Sequence, residues 1–287
     1  MIGTDPVSSA EKAGVPLSAS NLALRVVSAT ILAPLALLAA YVGGWAFALF
    51  WGLAALAVLW EWMTLVVGAH FRFMILSCGA AIGVADFLAW LGRPVTAFLT
   101  VGLGALAGAI FAPRDRRLWV IIGVGYAGGM LLAPVLLRAD PGYGFVAILL
   151  LFAIVWTTDI LGYFAGRAFG GPKLWPAISP KKTWSGAVAG CIGATAIAVL
   201  VASQFGSFDR IVVIGTAFVL SVLAQAGDLF ESWVKRRFDA KDSSRLIPGH
   251  GGVMDRLDGF WAAAVAGCVI GLLRGGFDEP ARGLLIW

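Results

Sequence analysis

Two polar segments in this otherwise apolar sequence hold the residue types that could carry out chemistry. They cover residues 157–186 and residues 227–259, and both are rich in aspartate, lysine and arginine. The second runs into PGHGGVMDRLDGFW, residues 248–261, which places a histidine, an arginine and two aspartates at the start of a long apolar run. Charged groups at a membrane border cost free energy, so the sequence indicates a functional site there.

Carboxylates are the first candidates for that site. Asp255 and Asp258 are three residues apart, so a helix that starts there presents both on one face. Asp228 ends one apolar stretch and Asp159 lies near the end of another, so all four are expected at a similar depth. Aspartates without neighbouring cysteines or further histidines suit a hard cation such as Mg²⁺ rather than zinc.

Basic residues surround these carboxylates and would attract phosphate. They are Lys173, Lys181, Lys182, Lys235, Arg236, Lys241 and Arg256. Carboxylates, a metal ion and cations together are typical of a site for phosphoryl transfer. The glycines of PGHGG would let backbone N–H groups approach phosphate oxygens closely.

Simpler interpretations of the same residues stay open at this point. Asp255 and Asp258 could serve only to stabilise the start of a helix through its macrodipole. Lys235 could form a plain i,i+4 ion pair with Glu231. His250 lies between glycines and could stabilise its turn rather than contact phosphate or take part in catalysis.

The overall composition identifies the class of protein. Hydrophobic residues make up 60% of the chain, charged residues only 13%, and the mean hydropathy is +0.90, whereas soluble domains carry about 25% charged residues. Stretches long enough to cross a membrane recur along nearly the whole length, so we predict an all-α fold, a polytopic transmembrane helical bundle of about nine spans. The predicted spans are residues 22–41, 45–67, 72–91, 94–112, 117–137, 144–166, 183–203, 208–230 and 258–275.

The distribution of basic residues orients these spans. With nine spans, sixteen of the 21 lysine and arginine residues fall on the side of the amino terminus and of the loops after the even-numbered spans. The positive-inside rule places that side, with both polar segments, in the cytoplasm. Glu61 lies near the cytoplasmic end of the second span and could support the site. The same bias accounts for the net charge of +5, so no nucleic-acid partner is expected.

The rest of the chain is expected to be supporting structure. Residues 1–21 are predicted to form a polar, disordered tail that lacks the features of a secretion signal. Residues 22–142 hold five predicted spans, and residues 143–287 hold the other four as a catalytic region with both polar segments. Three cysteines in separate apolar stretches are expected to be buried packing residues: Cys78, Cys191 and Cys268.

The second polar segment also resembles a known family. Residues 232–258, SWVKRRFDAKDSSRLIPGHGGVMDRLD, are similar to the signature of the phosphatidate cytidylyltransferases, also called CDP-diacylglycerol synthases. That signature has a Ser, then Lys-Arg, Lys-Asp, Pro-x-His-Gly-Gly and Asp-Arg-x-Asp. In the first segment, TDILGYFAGRAFG and ISPKKTWSG resemble two further family segments. One departure is Ser185, which stands where the family often has Glu.

The resemblance implies an enzyme of the bacterial inner membrane that makes CDP-diacylglycerol from CTP and phosphatidic acid and releases pyrophosphate. Its active site would face the cytoplasm, among membrane lipids, and the chain could form a homodimer. Asp228, Asp255 and Asp258 would be catalytic and bind Mg²⁺, with the number of metal ions and a monovalent cation left open. Lys235 and His250 would complete the catalytic set. The implied substrate-binding residues are Asp159, Ser179, Lys181, Lys182, Lys241 and Arg256.

Two other functions would use similar residues. A CTP-dependent lipid kinase would donate the γ-phosphate of CTP to a polyprenol-type alcohol, release CDP and need a base for the alcohol. An ion-coupled transporter also places carboxylates in broken helices, but its site lies near the membrane midplane and is often built from inverted repeats. The charges here gather at one face of the predicted bundle.

Overall fold

A computed structural model describes residues 19–68, 72–206, 208–247 and 251–287. Within these ranges the chain forms ten helices and two short strands. In chain order they are α1 (Ala19–Val42), α2 (Gly44–Val66), α3 (Arg72–Trp90), α4 (Pro94–Phe111), α5 (Arg117–Ala139), α6 (Gly144–Phe169), β1 (Lys173–Trp175), β2 (Ser179–Thr183), α7 (Trp184–Ala202), α8 (Arg210–Arg237), α9 (Met254–Gly275) and α10 (Pro280–Leu285). Most of the predicted tail lies outside the described residues.

The predicted membrane bundle is confirmed. Among the described residues, the eight helices α2 to α9 are long and apolar enough to span a membrane, and α1 holds a further apolar stretch, Thr30–Val42. Large apolar side chains point away from the bundle, and Leu103, Ile110 and Leu273 are 67%, 70% and 82% exposed. Such faces suit contact with lipid chains, while the core holds side chains such as Trp51, which stacks on Phe260 at 4.7 Å.

Two helices extend past their predicted ends, and both carry candidate site residues. α8 continues to Arg237 rather than ending at 230, and α9 starts at Met254 rather than at 258. The apolar runs stop where the charges begin, but a helix can continue beyond the membrane border because its hydrogen bonds are internal. Glu231, Lys235 and Asp255 are therefore helical residues, with side chains held in fixed directions.

The segment between α6 and α7 forms an antiparallel hairpin, which the all-α prediction did not include. β1 pairs with β2 with Lys173 opposite Thr183 and Trp175 opposite Ser179. Thr183 is the N-cap of α7, and its hydroxyl accepts a hydrogen bond from Gly186 N at 3.2 Å. A backbone connection of one residue therefore ties Lys182 to the start of α7.

Small residues bring α7 close to α6. A Cβ on Gly186 would lie 2.5 Å from the carbonyl oxygen of Gly162, so only glycine allows this approach. Deeper in the bundle, Thr158 and Ser221 share a hydrogen bond of 2.7 Å between α6 and α8. Cys191 of α7 accepts a hydrogen bond from Gln225 at 3.1 Å. This packing places the hairpin next to the cytoplasmic-rim end of α6.

α9 lies between the two parts of the bundle. It packs on α8 and α6 from the carboxyl-terminal part of the chain and on α5 and α2 from the amino-terminal part. The predicted division at residue 142 stays a prediction. The three cysteines are buried and have free thiols, as expected for packing residues.

Candidate active site

A buried lysine connects the end of α8 to the start of α9. Lys235 Nζ lies 2.6 Å from Glu231 Oε2 and 2.6 Å from Asp255 Oδ1. Glu231 is fully buried and Lys235 is 9% exposed. The i,i+4 pair expected from the sequence is present, but it is not a plain surface pair, because Asp255 joins it from another helix. One ammonium thus balances two carboxylates away from water.

Asp255 also fastens the loop that precedes its helix. Its Oδ2 accepts hydrogen bonds from Gly252 N at 2.8 Å, from Ser243 N at 3.0 Å and from Ser243 Oγ at 3.1 Å. These bonds join the two ends of the segment 243–254. The Gly252 N–H that could have contacted phosphate is occupied by this carboxylate.

A second group of charges lies around Asp228. The ammonium of Lys182 contacts Asp228 Oδ2, and each of the two side chains is about a quarter exposed. Asp258 is within electrostatic reach of Asp228, Asp159 and Lys182. Asp159, which is exposed, is likewise close enough to Arg256 to interact with it. Helices α6, α8 and α9 and strand β2 therefore contribute to one open, charged space.

The predicted Mg²⁺ ligands divide between these two groups. Asp228 and Asp258 face the open space, whereas Asp255 faces Lys235. Among the described residues, no three His, Cys, Asp or Glu side chains are arranged as a ready metal site. The ligand set Asp228, Asp255 and Asp258 therefore stays a prediction.

Unsatisfied buried oxygens nonetheless fit a cation here. Neither Glu231 carboxylate oxygen has a well-aligned hydrogen bond, although Lys235 is within ion-pair distance of one of them. The buried hydroxyl of Tyr126 is also without a hydrogen bond. Tyr126 is close enough to Asp258 and Glu231 to feel their charges. Buried oxygen atoms seldom lack partners, and hard cations prefer oxygen ligands.

Tyr126 belongs to an aromatic wall beside the carboxylates, which the sequence did not reveal. Its ring stacks on Trp261 at 4.2 Å and on Trp62 at 5.2 Å, and Phe230 lies 6.3 Å from it. The indole of Trp261 donates to the Tyr126 carbonyl oxygen at 2.9 Å. Four helices thus meet through stacked rings, and the wall closes the inner side of the site.

Glu61 reaches the site from α2. It is fully buried, and its carboxylate accepts hydrogen bonds from Ser243 Oγ at 3.1 Å, Ser244 Oγ at 2.6 Å, Val253 N at 2.8 Å and Met254 N at 2.7 Å. The expectation that Glu61 could support the site agrees with this position. Its partners are all in the second polar segment.

The remaining predicted residues lie at the outer edge of this space. Lys181 and Lys241 are exposed on β2 and on the loop after α8, Arg256 is exposed on α9, and Ser179 is half-buried at the start of β2. Their substrate-binding roles stay predictions. His250 lies outside the described residues.

Ser185, the residue that departs from the family pattern, closes the hairpin against α6. Its hydroxyl donates to the carbonyl oxygen of Gly170, and it lies 3.0 Å from Thr183 Oγ1. The serine therefore has a local structural role at the joint of α6, β2 and α7.

Gly252 allows the closest approach in the loop. A Cβ there would overlap Ser243 Oγ and would lie 2.6 Å from Glu61 Oε1. Glu61 is held by four hydrogen bonds and cannot move aside. We expect Gly252→Ala to cost about 1–3 kcal/mol of stability through overpacking and to lower catalytic activity.

Thermal unfolding in detergent and initial rates would measure both effects. Gly215→Ala is the matched control, because Gly215 is exposed on α8 and a Cβ there meets no atom within 4 Å. A Gly252→Ala protein with the melting temperature and rate of the control would contradict the steric argument.

Comparisons with known proteins point to one family. A model described as the Cytidylyltransferase family matches residues 23–272. A phosphatidate cytidylyltransferase of Brucella abortus biovar 1 (strain 9-941) is 44% identical over 264 residues, which cover 91% of this chain and 96% of the relative. The phosphatidate cytidylyltransferases of Rickettsia typhi and Rickettsia bellii are 43% and 46% identical over 120 and 119 residues, or 39% of this chain and 53% and 51% of theirs.

Proposed function

The chain belongs to the cytidylyltransferase family, and from that membership we propose that the charged space between α6, α8, α9 and β2 is its active site. The enzyme is a nucleotidyltransferase that makes CDP-diacylglycerol from CTP and phosphatidic acid. The observation that carries this function is the extent of the family match, because residues 23–272 include every site residue from Glu61 to Asp258.

The reaction brings two anions together. A phosphate oxygen of phosphatidic acid attacks the α-phosphorus of CTP, a new P–O bond forms, and the bond to the departing pyrophosphate breaks on the opposite side. Phosphatidic acid is already ionised near neutral pH, so the attack needs no general base. The main task of the protein is to orient both phosphates and offset their repulsion.

We assign that task to the cations at the edge of the site. Lys182, which contacts Asp228, and Arg256, near Asp159, lie where carboxylates and substrate phosphates can both reach them. Lys181 and Lys241 are exposed and free to follow an incoming nucleotide. The buried Lys235 is already paired twice, so its proposed role is to hold α8 and α9 in register rather than to move with the substrate.

A divalent cation such as Mg²⁺ fits the same space. When bound, it would neutralise charge on the transferring phosphates and polarise the α-phosphorus. Asp228 and Asp258 are the proposed ligands nearest to Lys182, and Asp255 is the third. The unsatisfied oxygens of Glu231 and Tyr126 support an ion at this depth. The number of metal ions stays open.

The proposed location is the bacterial inner membrane, with the active site in the cytoplasm. This orientation rests on the basic residues counted from the sequence and on the substrates, because CTP is cytoplasmic and the phosphate of phosphatidic acid lies at the membrane surface. Homodimerisation stays a prediction that the mass of the purified protein in detergent would test.

Transfer of label from CTP to lipid tests the function directly. Purified protein with phosphatidic acid, Mg²⁺ and CTP labelled at the α-phosphate should move label into the lipid phase with an equal amount of pyrophosphate. Chelation of Mg²⁺ should stop the transfer. CDP accumulation with a lipid alcohol and no labelled lipid would indicate the kinase instead, and no product in either assay would favour a transporter.

A further inference from the structure

Glu61 binds the start of α9 as an N-cap supplied by a different helix. The first N–H groups of a helix lack partners within it, and negative charge there is favourable. The N-cap residue of α9, Val253, makes no side-chain cap of its own. Instead, Glu61 Oε1 accepts from Val253 N at 2.8 Å and Glu61 Oε2 accepts from Met254 N at 2.7 Å.

Both serines of the loop bind the same carboxylate. Ser244 Oγ donates to Oε1 at 2.6 Å and Ser243 Oγ to Oε2 at 3.1 Å. Each oxygen of Glu61 thus holds one backbone N–H and one hydroxyl, and all four donors are neutral. A fully buried carboxylate with four donors is firmly held in place.

Ser243 passes this restraint on to the charged residues. Its hydroxyl lies 3.1 Å from Glu61 Oε2 and 3.1 Å from Asp255 Oδ2, so one proton serves two carboxylates. Its backbone N–H also donates to Asp255 at 3.0 Å, and Asp255 is paired with Lys235. Ser244 has no such bond to Asp255 among the contacts of the described residues. The path from α2 to the site therefore runs through Ser243.

We propose that Glu61 is a positioning residue for cytidylyl transfer: it fixes the loop 243–254 and the first turn of α9, and through them the directions of Asp255 and Asp258. Glu61 itself touches neither substrate. The inference rests on the proposed active site and adds a residue from the amino-terminal part of the chain, 182 positions before Ser243.

The variant Glu61→Gln separates this role from simple space filling. Glutamine has nearly the same shape but replaces one acceptor oxygen by an NH₂ group. Whichever way the amide turns, its NH₂ faces either Val253 N–H or Met254 N–H, and a backbone donor cannot reverse. The variant must lose one cap bond and oppose two donors, an unfavourable arrangement for a buried site.

Turnover and amide exchange should both respond. We expect Glu61→Gln to lower kcat about 10–100-fold, as for residues that orient active groups, while KM for CTP changes less than about threefold. Hydrogen exchange of the peptide that contains Val253 and Met254 should become faster, with α4 unchanged. Asp86→Asn is the matched control, since it neutralises another carboxylate of the amino-terminal part, on α3, and should alter neither quantity.

A pair of serine variants covers the case in which Glu61→Gln does not fold. Ser243→Ala and Ser244→Ala each remove one hydroxyl from Glu61, but only Ser243 links it to Asp255. We expect Ser243→Ala to lower kcat about 10-fold and Ser244→Ala to stay within about threefold of the parent protein.

The outcomes separate the two proposals. If the parent protein transfers label and Glu61→Gln and Ser243→Ala match their controls in kcat, Glu61 is not a positioning residue. If the parent protein transfers no label, the proposed function fails. The exchange experiment still reports whether Glu61 holds the loop, and unchanged exchange of Val253 and Met254 in Glu61→Gln would overturn that link too.

Discussion

Asp228→Asn is expected to reduce kcat by on the order of 100-fold or more, as when one preorganised electrostatic group of an active site is removed. Asp228 contacts Lys182 and shares the open space with Asp258 and Asp159. Asparagine keeps the shape but removes the charge that holds Lys182 and that we propose for the cation. Initial rates of lipid labelling across a range of Mg²⁺ concentrations measure the loss.

The control for this change lies on the same helix. Asp209 is the N-cap of α8 at its other end and accepts a hydrogen bond from Ile211 N at 2.8 Å. Asparagine is an equally good N-cap, so Asp209→Asn should keep both fold and rate. A folded Asp228→Asn protein with the rate of Asp209→Asn would remove Asp228 from the active site.

Lys235→Met should have the largest effect on stability. The substitution leaves the carboxylates of Glu231 and Asp255 buried, close together and without their shared cation. Breaking a buried ion pair by removing one partner costs about 3–5 kcal/mol. At this chain length the melting temperature in detergent should fall by on the order of 10 °C. Thermal unfolding followed by circular dichroism measures the change.

Two further variants identify the cause of that loss. Lys241→Met removes an exposed lysine of the loop and should leave the melting temperature nearly unchanged. The double variant Lys235→Met with Glu231→Met removes one stranded charge as well, so it should recover part of the stability. A double variant that is less stable than Lys235→Met would show that packing, rather than uncompensated charge, explains the effect.

Local patterns predicted the helices and most of the charged residues of the site. Length and hydropathy were sufficient for the membrane spans, because the lipid interior restricts which segments can cross it. The three-residue spacing placed Asp255 and Asp258 in the first turns of one helix. The two nevertheless face different groups, because three residues in an α-helix differ in direction by about 60°.

The contacts between distant segments could not be read from local patterns. Tyr126 lies in an ordinary apolar stretch, and only the packing of α5 on α9 brings it to the carboxylates. Glu61 was a lone charge whose partners are nearly two hundred residues away. The hairpin was missed because its strands are three and five residues long and include Pro180, so no alternating pattern develops.

The cap that α2 supplies to α9 also affects how this enzyme can exchange parts with its relatives. A hybrid chain that joins residues 1–142 of one relative to residues 143–287 of another inherits the acceptor and its donors from different parents. Such a hybrid is compatible only where the first parent supplies a carboxylate at position 61 and the second supplies a hydroxyl at 243 and glycine at 252. The unit of inheritance for the loop therefore includes α2.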